Sequence, residues 1–175
     1  MKETIPEVTG LTFDEIKDWR QFERLARQYF EDLKNDPGNN IAHVEARPTG
    51  EGTDGGKDII VEMTMADDIK TFSRTWIVQC KFRSRPVSPS DINEINIPSL
   101  VHSHQADGYL LICRSGPTSG ITGLFDRLNE KCKHGYLYEC WDGELFLSKL
   151  LHRHGILKLF FPKYYYFTES KEAKK

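Results

Sequence analysis

Two rhythms of apolar positions run along the chain. Phe22, Leu25, Ala26, Tyr29, Phe30 and Leu33 recur at steps of three and four, which predicts an amphipathic helix. Asp18 and Gln21 stand in capping-box positions ahead of it, and Asp36-Pro37-Gly38-Asn39-Asn40 stops it. A shorter turn begins at Thr12, with Glu15 three residues on. The rhythm then changes to two. Ala42, Val44 and Ala46 alternate with His43, Glu45 and Arg47, and strands are expected over 41–47, 58–64 and 75–82. The charged stretch 66–70 joins the last two as a hairpin. Ser88-Pro89 opens a helix through Ile92 and Ile95, which Pro98 breaks or restarts. Tyr109 to Cys113 is a continuous apolar run, the mark of a strand covered on both faces. A helix over 119–133 with Gly135 as its cap follows, then a strand over 136–141 and a helix capped by Asp142 and ended by Gly155.

The order is α-β-β-β-α-β-α-β, which predicts an α/β fold with a mixed β-sheet flanked by helices, antiparallel at the front and crossover-linked at the back. Residues 156–167 are apolar and aromatic and are expected to form a final strand or a packing arm. Residues 1–167 are expected to form a single domain, with 168–175 as a flexible tail. The three tryptophans, Trp19, Trp76 and Trp141, are expected in the core.

Composition changes this picture little. The chain has 175 residues, 38% hydrophobic and 29% charged, as an ordinary globular protein does. No apolar run reaches the roughly 18 residues of a membrane span, and the first residues do not read as a signal peptide. Its four cysteines lack Cys-x-x-Cys spacing, so a reduced, cytoplasmic protein without disulfides is expected. The net charge of -2 is unlike a basic nucleic-acid binder. Its distribution points the other way. Between Ile69 and Pro86 stand Lys70, Arg74, Lys81, Arg83 and Arg85 with no acidic residue, a basic lip suited to a phosphate backbone. A solvated strand end is the plainer reading of the same run.

The candidate chemistry lies between Gly52 and Lys81. A glycine-rich turn, Gly52-Thr53-Asp54-Gly55-Gly56-Lys57, delivers Asp58 to the apolar run Ile59-Ile60-Val61. The next apolar run, Trp76-Ile77-Val78, ends in Gln79-Cys80-Lys81. Alternation puts Gln79 and Lys81 on one face, about 7 Å apart at 3.3 Å per residue, and Trp76, Val78, Cys80 and Phe82 on the other. A carboxylate, an amide oxygen and an ammonium on neighbouring strands are what metal-assisted phosphodiester hydrolysis requires. Asp54 reads as a turn former. Glu62, about 13 Å along the strand from Asp58, is too distant to share an ion, and Glu45 is a minor further carboxylate. Periodicity alone makes Glu23 an ordinary solvated helix residue. His102-Ser103-His104, His152-Arg153-His154 and Cys132 with His134 match no structural zinc spacing.

Phe22-Glu23, the Gly-x-Asp-Gly-Gly-x-Asp-Ile turn and Val-Gln-Cys-Lys together resemble the Mrr-type branch of the PD-(D/E)XK restriction-endonuclease-like nucleases, in which glutamine replaces the second acidic residue. The Tyr109–Cys113 strand and Trp141-Asp142-Gly143-Glu144-Leu145 are similar to that family's closing elements. The resemblance spans roughly residues 19–151. It implies a restriction-endonuclease-like core and a Mg²⁺-dependent endonuclease acting on double-stranded DNA in restriction, antiphage defence or repair. Implied catalytic residues are Glu23, Asp58, Gln79 and Lys81. Asp58, Gln79 and the Cys80 carbonyl would hold Mg²⁺, or Mn²⁺ in its place, with Glu23 bound directly or through water. Lys81 would orient the attacking water or stabilise the transition state, two roles the sequence leaves open. Lys57, Arg83 and Arg85 are the implied DNA contacts. Cutting both strands calls for a homodimer. The alternative is a catalytically silent or partner-gated DNA-binding module, with any sensor or partner protein unread in this chain.

Overall fold

In a computed structural model the described residues are 10–49, 57–92 and 96–172. A 3-10 turn at Phe13–Glu15, capped by Thr12, leads to helix α1 (Trp19–Asp32). Asp18 caps α1 through its carboxylate, which accepts the Gln21 N–H at 2.8 Å, and Gln21 returns its own amide oxygen to the Lys17 N–H at 2.7 Å. Strands β1 (Ile41–Pro48), β2 (Ile59–Ala66) and β3 (Thr71–Lys81) form an antiparallel meander. Helix α2 (Ile97–Ser103), strand β4 (Gly108–Cys113), helix α3 (Ser119–Lys131) and strand β5 (Leu137–Trp141) follow, and β4 and β5 extend the sheet in parallel with β3. The five strands lie in the order β1-β2-β3-β4-β5. This is the mixed α/β sheet expected from the residue pattern, with its antiparallel front and crossover-linked back.

The two faces are sealed by different helices. Phe22, Leu25, Ala26, Tyr29 and Phe30 of α1 pack on Val44, Ile59, Val61, Val78, Cys80, Leu110 and Ile112. The other face packs Ile97 and Val101 of α2 and Ile121 and Phe125 of α3 on Ile77, Tyr109, Leu111 and Tyr138. Strand β4 is buried throughout. On β1 and β2 this second face stays polar, with Arg47 beside Glu45 and Glu62 at 3.8 and 4.0 Å. The sheet is therefore covered on both sides at its centre and on one side at its antiparallel edge.

Several expectations are corrected. Residues 156–167 form no strand: helix α4 (Gly143–Leu150), helix α5 (His154–Phe160) and helix α6 (Pro162–Glu172) fill the C-terminal part. Ile156, Leu157, Phe160 and Phe161 bury against the α1 layer at helical steps, a spacing masked by the unbroken apolar run. The α6 helix carries into the segment read as a tail, its first turn held by the Glu15 carboxylate, which accepts the Lys163 and Tyr164 N–H groups. Ser88-Pro89 opens a 3-10 turn, Pro89–Asp91, and the stretch of the expected helix at Ile95 lies outside the described residues. Pro98 sits in the first turn of α2, where its missing N–H costs nothing. Trp19 is 48% exposed at the first position of α1, with the Arg20 guanidinium 4.7 Å over its ring, so it is not a core residue. Trp76 and Trp141 are partly buried and pack on the core. The glycine-rich turn with Asp54 lies outside the described residues.

Gly143 fixes where the C-terminal layer meets the sheet. A Cβ there would collide with the Arg114 carbonyl and sit 3.1 Å from the Phe13 ring. Gly143→Ala is expected to destabilise the fold by about 1–3 kcal/mol, the range for overpacking. Urea unfolding measures it, and a midpoint equal to that of the parent chain would contradict the packing described.

Candidate active site

Asp58 stands one residue before β2, and its three polar groups go in three directions. Its N–H donates to the Val78 carbonyl on β3 at 2.9 Å. Its carbonyl accepts the Thr49 N–H at 3.1 Å, just beyond β1. Its carboxylate Oδ2 accepts the Cys80 N–H at 2.6 Å. A side chain thus does at the sheet's end what a main-chain carbonyl does inside a ladder. The β2–β3 ladder closes with Ile59 opposite Val78, so Asp58 lies just outside it and Gln79 follows Val78 on β3.

Gln79 and Lys81 share a face of β3. Gln79 is the one polar residue among the described residues that is fully sheltered, at 4% exposure. The Tyr109 hydroxyl donates to its amide oxygen at 2.6 Å. Tyr109 also feels the Asp58 charge, which together with burial pushes its phenol well above the ordinary range, burial being the larger cause. Lys81 is half-buried, and its carbonyl accepts the Arg114 N–H at 2.9 Å.

Glu23 comes from α1, in the layer on the opposite face of the sheet, and reaches the same strand ends. Its neighbour Phe22 is completely buried, with its ring 5.3 Å from that of Phe82. This anchors the helix over the end of β3. The Glu23 carboxyl is pushed up to about 7, first by desolvation and then by the charge of Asp58, while Arg20 and Lys81 act in the opposite direction. The Cys80 thiol, fully buried between these groups, is likewise held well above its usual value by burial, Asp58 and Glu23. Asp58, Glu23 and Lys81 therefore all act on the Cys80 thiol, and Arg20 acts on Glu23.

Arg20 was not among the residues singled out from sequence. It precedes Glu23 by three positions, a spacing that puts both on one helix face, so helical periodicity contained the signal. Tyr109 was also absent. Its contact depends on the parallel register that sets Ile77 against Tyr109 and Gln79 against Leu111, and no local sequence pattern encodes that register.

The basic residues are distributed differently. Lys57 is half-buried, with its carbonyl held by the Thr49 hydroxyl at 2.9 Å. Arg83 and Arg85 converge on Asp91: Arg83 at 2.7 Å, Arg85 as a two-pronged fork at 2.7 and 3.0 Å. The fork, the Ser88 N–H and Arg83 hold the Asp91 carboxyl well below the usual carboxylate range. Glu45 and Glu62 pair with Arg47 on the open face.

Divalent ions of the Mg²⁺ kind take hard oxygen donors. Among the described residues no three His, Cys, Asp or Glu side chains are grouped to hold a metal. An ion here would have to rest on the Asp58 and Glu23 carboxylates, the Gln79 amide oxygen and main-chain carbonyl oxygen. All of these are oxygens, the donor type that such an ion takes. The donor set fits such an ion. His102, Cys132 and His134 instead line a separate cavity of about 490 Å³ beside Tyr136 and Tyr138. His102 shares a 2.6 Å hydrogen bond with the Tyr136 hydroxyl.

The family model for the Mrr-type catalytic domain, described as a restriction endonuclease, matches residues 15–135. No curated protein matches the chain. Solved structures that resemble it include the MspJI restriction endonuclease in complex with a 27-mer oligonucleotide and the DNA modification-dependent restriction endonuclease AspBHI. The first is 16% identical with a TM-score of 0.49, the second 14% identical with a TM-score of 0.48. Each alignment covers 74% of this chain, but only 27% and 30% of the respective structures, so the chain spans less than a third of either.

The raised Glu23 carboxyl makes stability depend on pH. In the unfolded chain it ionises near 4.5, in the folded chain near about 7. Between those values the folded state holds the extra proton, so stability falls as pH rises through this window. Glu23→Gln, which stays neutral, is expected to match the parent chain at pH 4 and exceed it in unfolding free energy at pH 8. The carboxyl keeps solvent contact, which reduces the size of the gain. A difference between the two proteins that does not change with pH would contradict the desolvated environment.

Proposed function

We propose that this chain, which belongs to the restriction-endonuclease family by its match over residues 15–135, hydrolyses DNA phosphodiester bonds with Mg²⁺ at Glu23, Asp58, Gln79 and Lys81. The reading is supported by the family match together with the hydrogen bond that ties the Asp58 carboxylate to the Cys80 N–H, between Gln79 and Lys81 on β3. A bound divalent ion supplies an acidified water and neutralises charge on the phosphoryl oxygens.

The residues of the chain set up the rest. Asp58 presents a carboxylate oriented by the Cys80 N–H. Gln79 adds a neutral oxygen, so the site carries one negative charge fewer than its carboxylate counterpart and relies more on DNA phosphate to retain the ion. Glu23, with a carboxyl near neutrality, accepts a proton from the attacking water at its own oxygen. Lys81 places a positive charge beside the phosphate, where negative charge grows in the transition state. Lys57, Arg83 and Arg85 contact the DNA backbone, the two arginines after exchanging Asp91 for phosphate. A symmetric dimer would bring two such sites to the two strands of a duplex. Restriction or antiphage defence is the setting that this chemistry serves.

Plasmid DNA incubated with the purified protein is expected to be cut with Mg²⁺ or Mn²⁺ and spared with EDTA. Asp58→Ala and Lys81→Ala should each lower cutting by at least about 100-fold, the scale of losing one preorganised charge in a transition state. DNA binding without metal-dependent cutting would favour the silent binding module instead.

Asp91 competes with phosphate for Arg83 and Arg85. Asp91→Asn is expected to tighten duplex DNA binding and to steepen its dependence on salt, because two more cations become available to phosphates. Fluorescence anisotropy across a salt series measures both. Unchanged affinity and slope would remove the two arginines from the DNA interface.

A further inference from the structure

An amide is a two-ended ligand. A carboxylate offers oxygen whichever way it turns, but a glutamine turned over by 180° presents its NH₂ group, two positive hydrogens, where a cation should bind. A metal site built on glutamine therefore needs something to fix the amide's sense. Nothing in the Gln79-Cys80-Lys81 sequence supplies it.

Tyr109 does. Its hydroxyl donates to Gln79 Oε1 at 2.6 Å, and both side chains are sheltered, with Tyr109 wholly buried. The phenol is itself rigidly placed. The Phe125 ring meets it edge-on at 6.1 Å, and β4 runs parallel to β3 in fixed register beneath it. A carbonyl oxygen has two lone pairs, so accepting from Tyr109 leaves the second for another partner.

We propose that Tyr109 is a positioning residue that holds the Gln79 amide with its oxygen toward the metal, making the glutamine version of this site competent to bind a divalent ion. The inference rests on the nuclease reading above and adds a residue outside the Asp…Gln-x-Lys motif. It follows that the tyrosine is needed because residue 79 is glutamine, and that glutamate there would make it dispensable. In other metal sites, partners that orient a ligand are worth about 10–100-fold in metal affinity.

Mn²⁺ titration of the full chain, followed by the loss of the free-ion electron paramagnetic resonance signal, tests this without reference to cleavage. Tyr109→Phe keeps the ring and removes only the hydroxyl. It is expected to weaken Mn²⁺ binding about 10-fold or more. The same change made on Gln79→Glu should shift affinity less than about two-fold, since neither carboxylate oxygen needs selecting. A purely structural tyrosine would weaken both backgrounds alike, and thermal melts of the four proteins separate that effect from metal binding. Equal Mn²⁺ affinity for Tyr109→Phe and the parent, with binding abolished in Asp58→Ala, would overturn the tyrosine proposal alone. Parent protein that binds no Mn²⁺, or binds it as well after Asp58→Ala, would overturn both this proposal and the nuclease reading.

Discussion

The hydrogen bond from the Cys80 N–H to the Asp58 carboxylate is the interaction on which the site depends. It ties the entrance of β2 to the exit of β3 at a point where the main chain of Asp58 is already committed to Val78 and Thr49. Without it a main-chain N–H at the sheet's end would lose its partner, and an unpaired buried donor costs about 1–3 kcal/mol. The same bond fixes the one carboxylate that enters from the strand side. A carboxylate has two oxygens, and this structural bond engages one of them, Oδ2.

The surrounding layers exist in a definite relation to that bond. Helix α1 buries Phe22 against the sheet and thereby brings Glu23 and Arg20 to the strand ends from one face. Strand β4 brings Tyr109 to Gln79 from the other. The site thus forms where the two hydrophobic layers stop covering the sheet. Charged groups can approach one another there because buried apolar neighbours hold them, and the desolvation that follows raises the Glu23 carboxyl toward neutral pH. Opposed to this is the cluster of Arg83, Arg85 and Asp91, where a carboxylate in a strong fork satisfies basic residues that the sequence alone presents as open to phosphate.

Much of this was legible in the residues. The change of period from four to two marked α1 and the meander, and the unbroken run 109–113 marked the buried strand, because in these segments burial is one-sided or complete. Legibility failed where one signal stood for two structures. The apolar run 156–167 reads equally as a strand or a packing arm until its burial at helical steps is seen, and Trp19 reads as core although it begins a helix at the surface. In the candidate site, Asp58, Gln79 and Lys81 were visible as chemistry at the ends of strands. Asp91 was hidden, since a carboxylate six residues from Arg85 announces no ion pair. Tyr109 was hidden for a deeper reason: its partner is thirty residues away across a parallel ladder whose register is set by the crossover through α2.

A crystal grown with Mn²⁺ and a short DNA duplex, with anomalous scattering used to place the metal, tests the central claim most directly. The account predicts a manganese peak bonded at about 2.1–2.2 Å, slightly beyond the Mg²⁺–oxygen distance, to an Asp58 carboxylate oxygen and to Gln79 Oε1, with Glu23 within reach directly or through one water. A peak elsewhere on the protein, or a Gln79 amide nitrogen turned toward the ion, would contradict it.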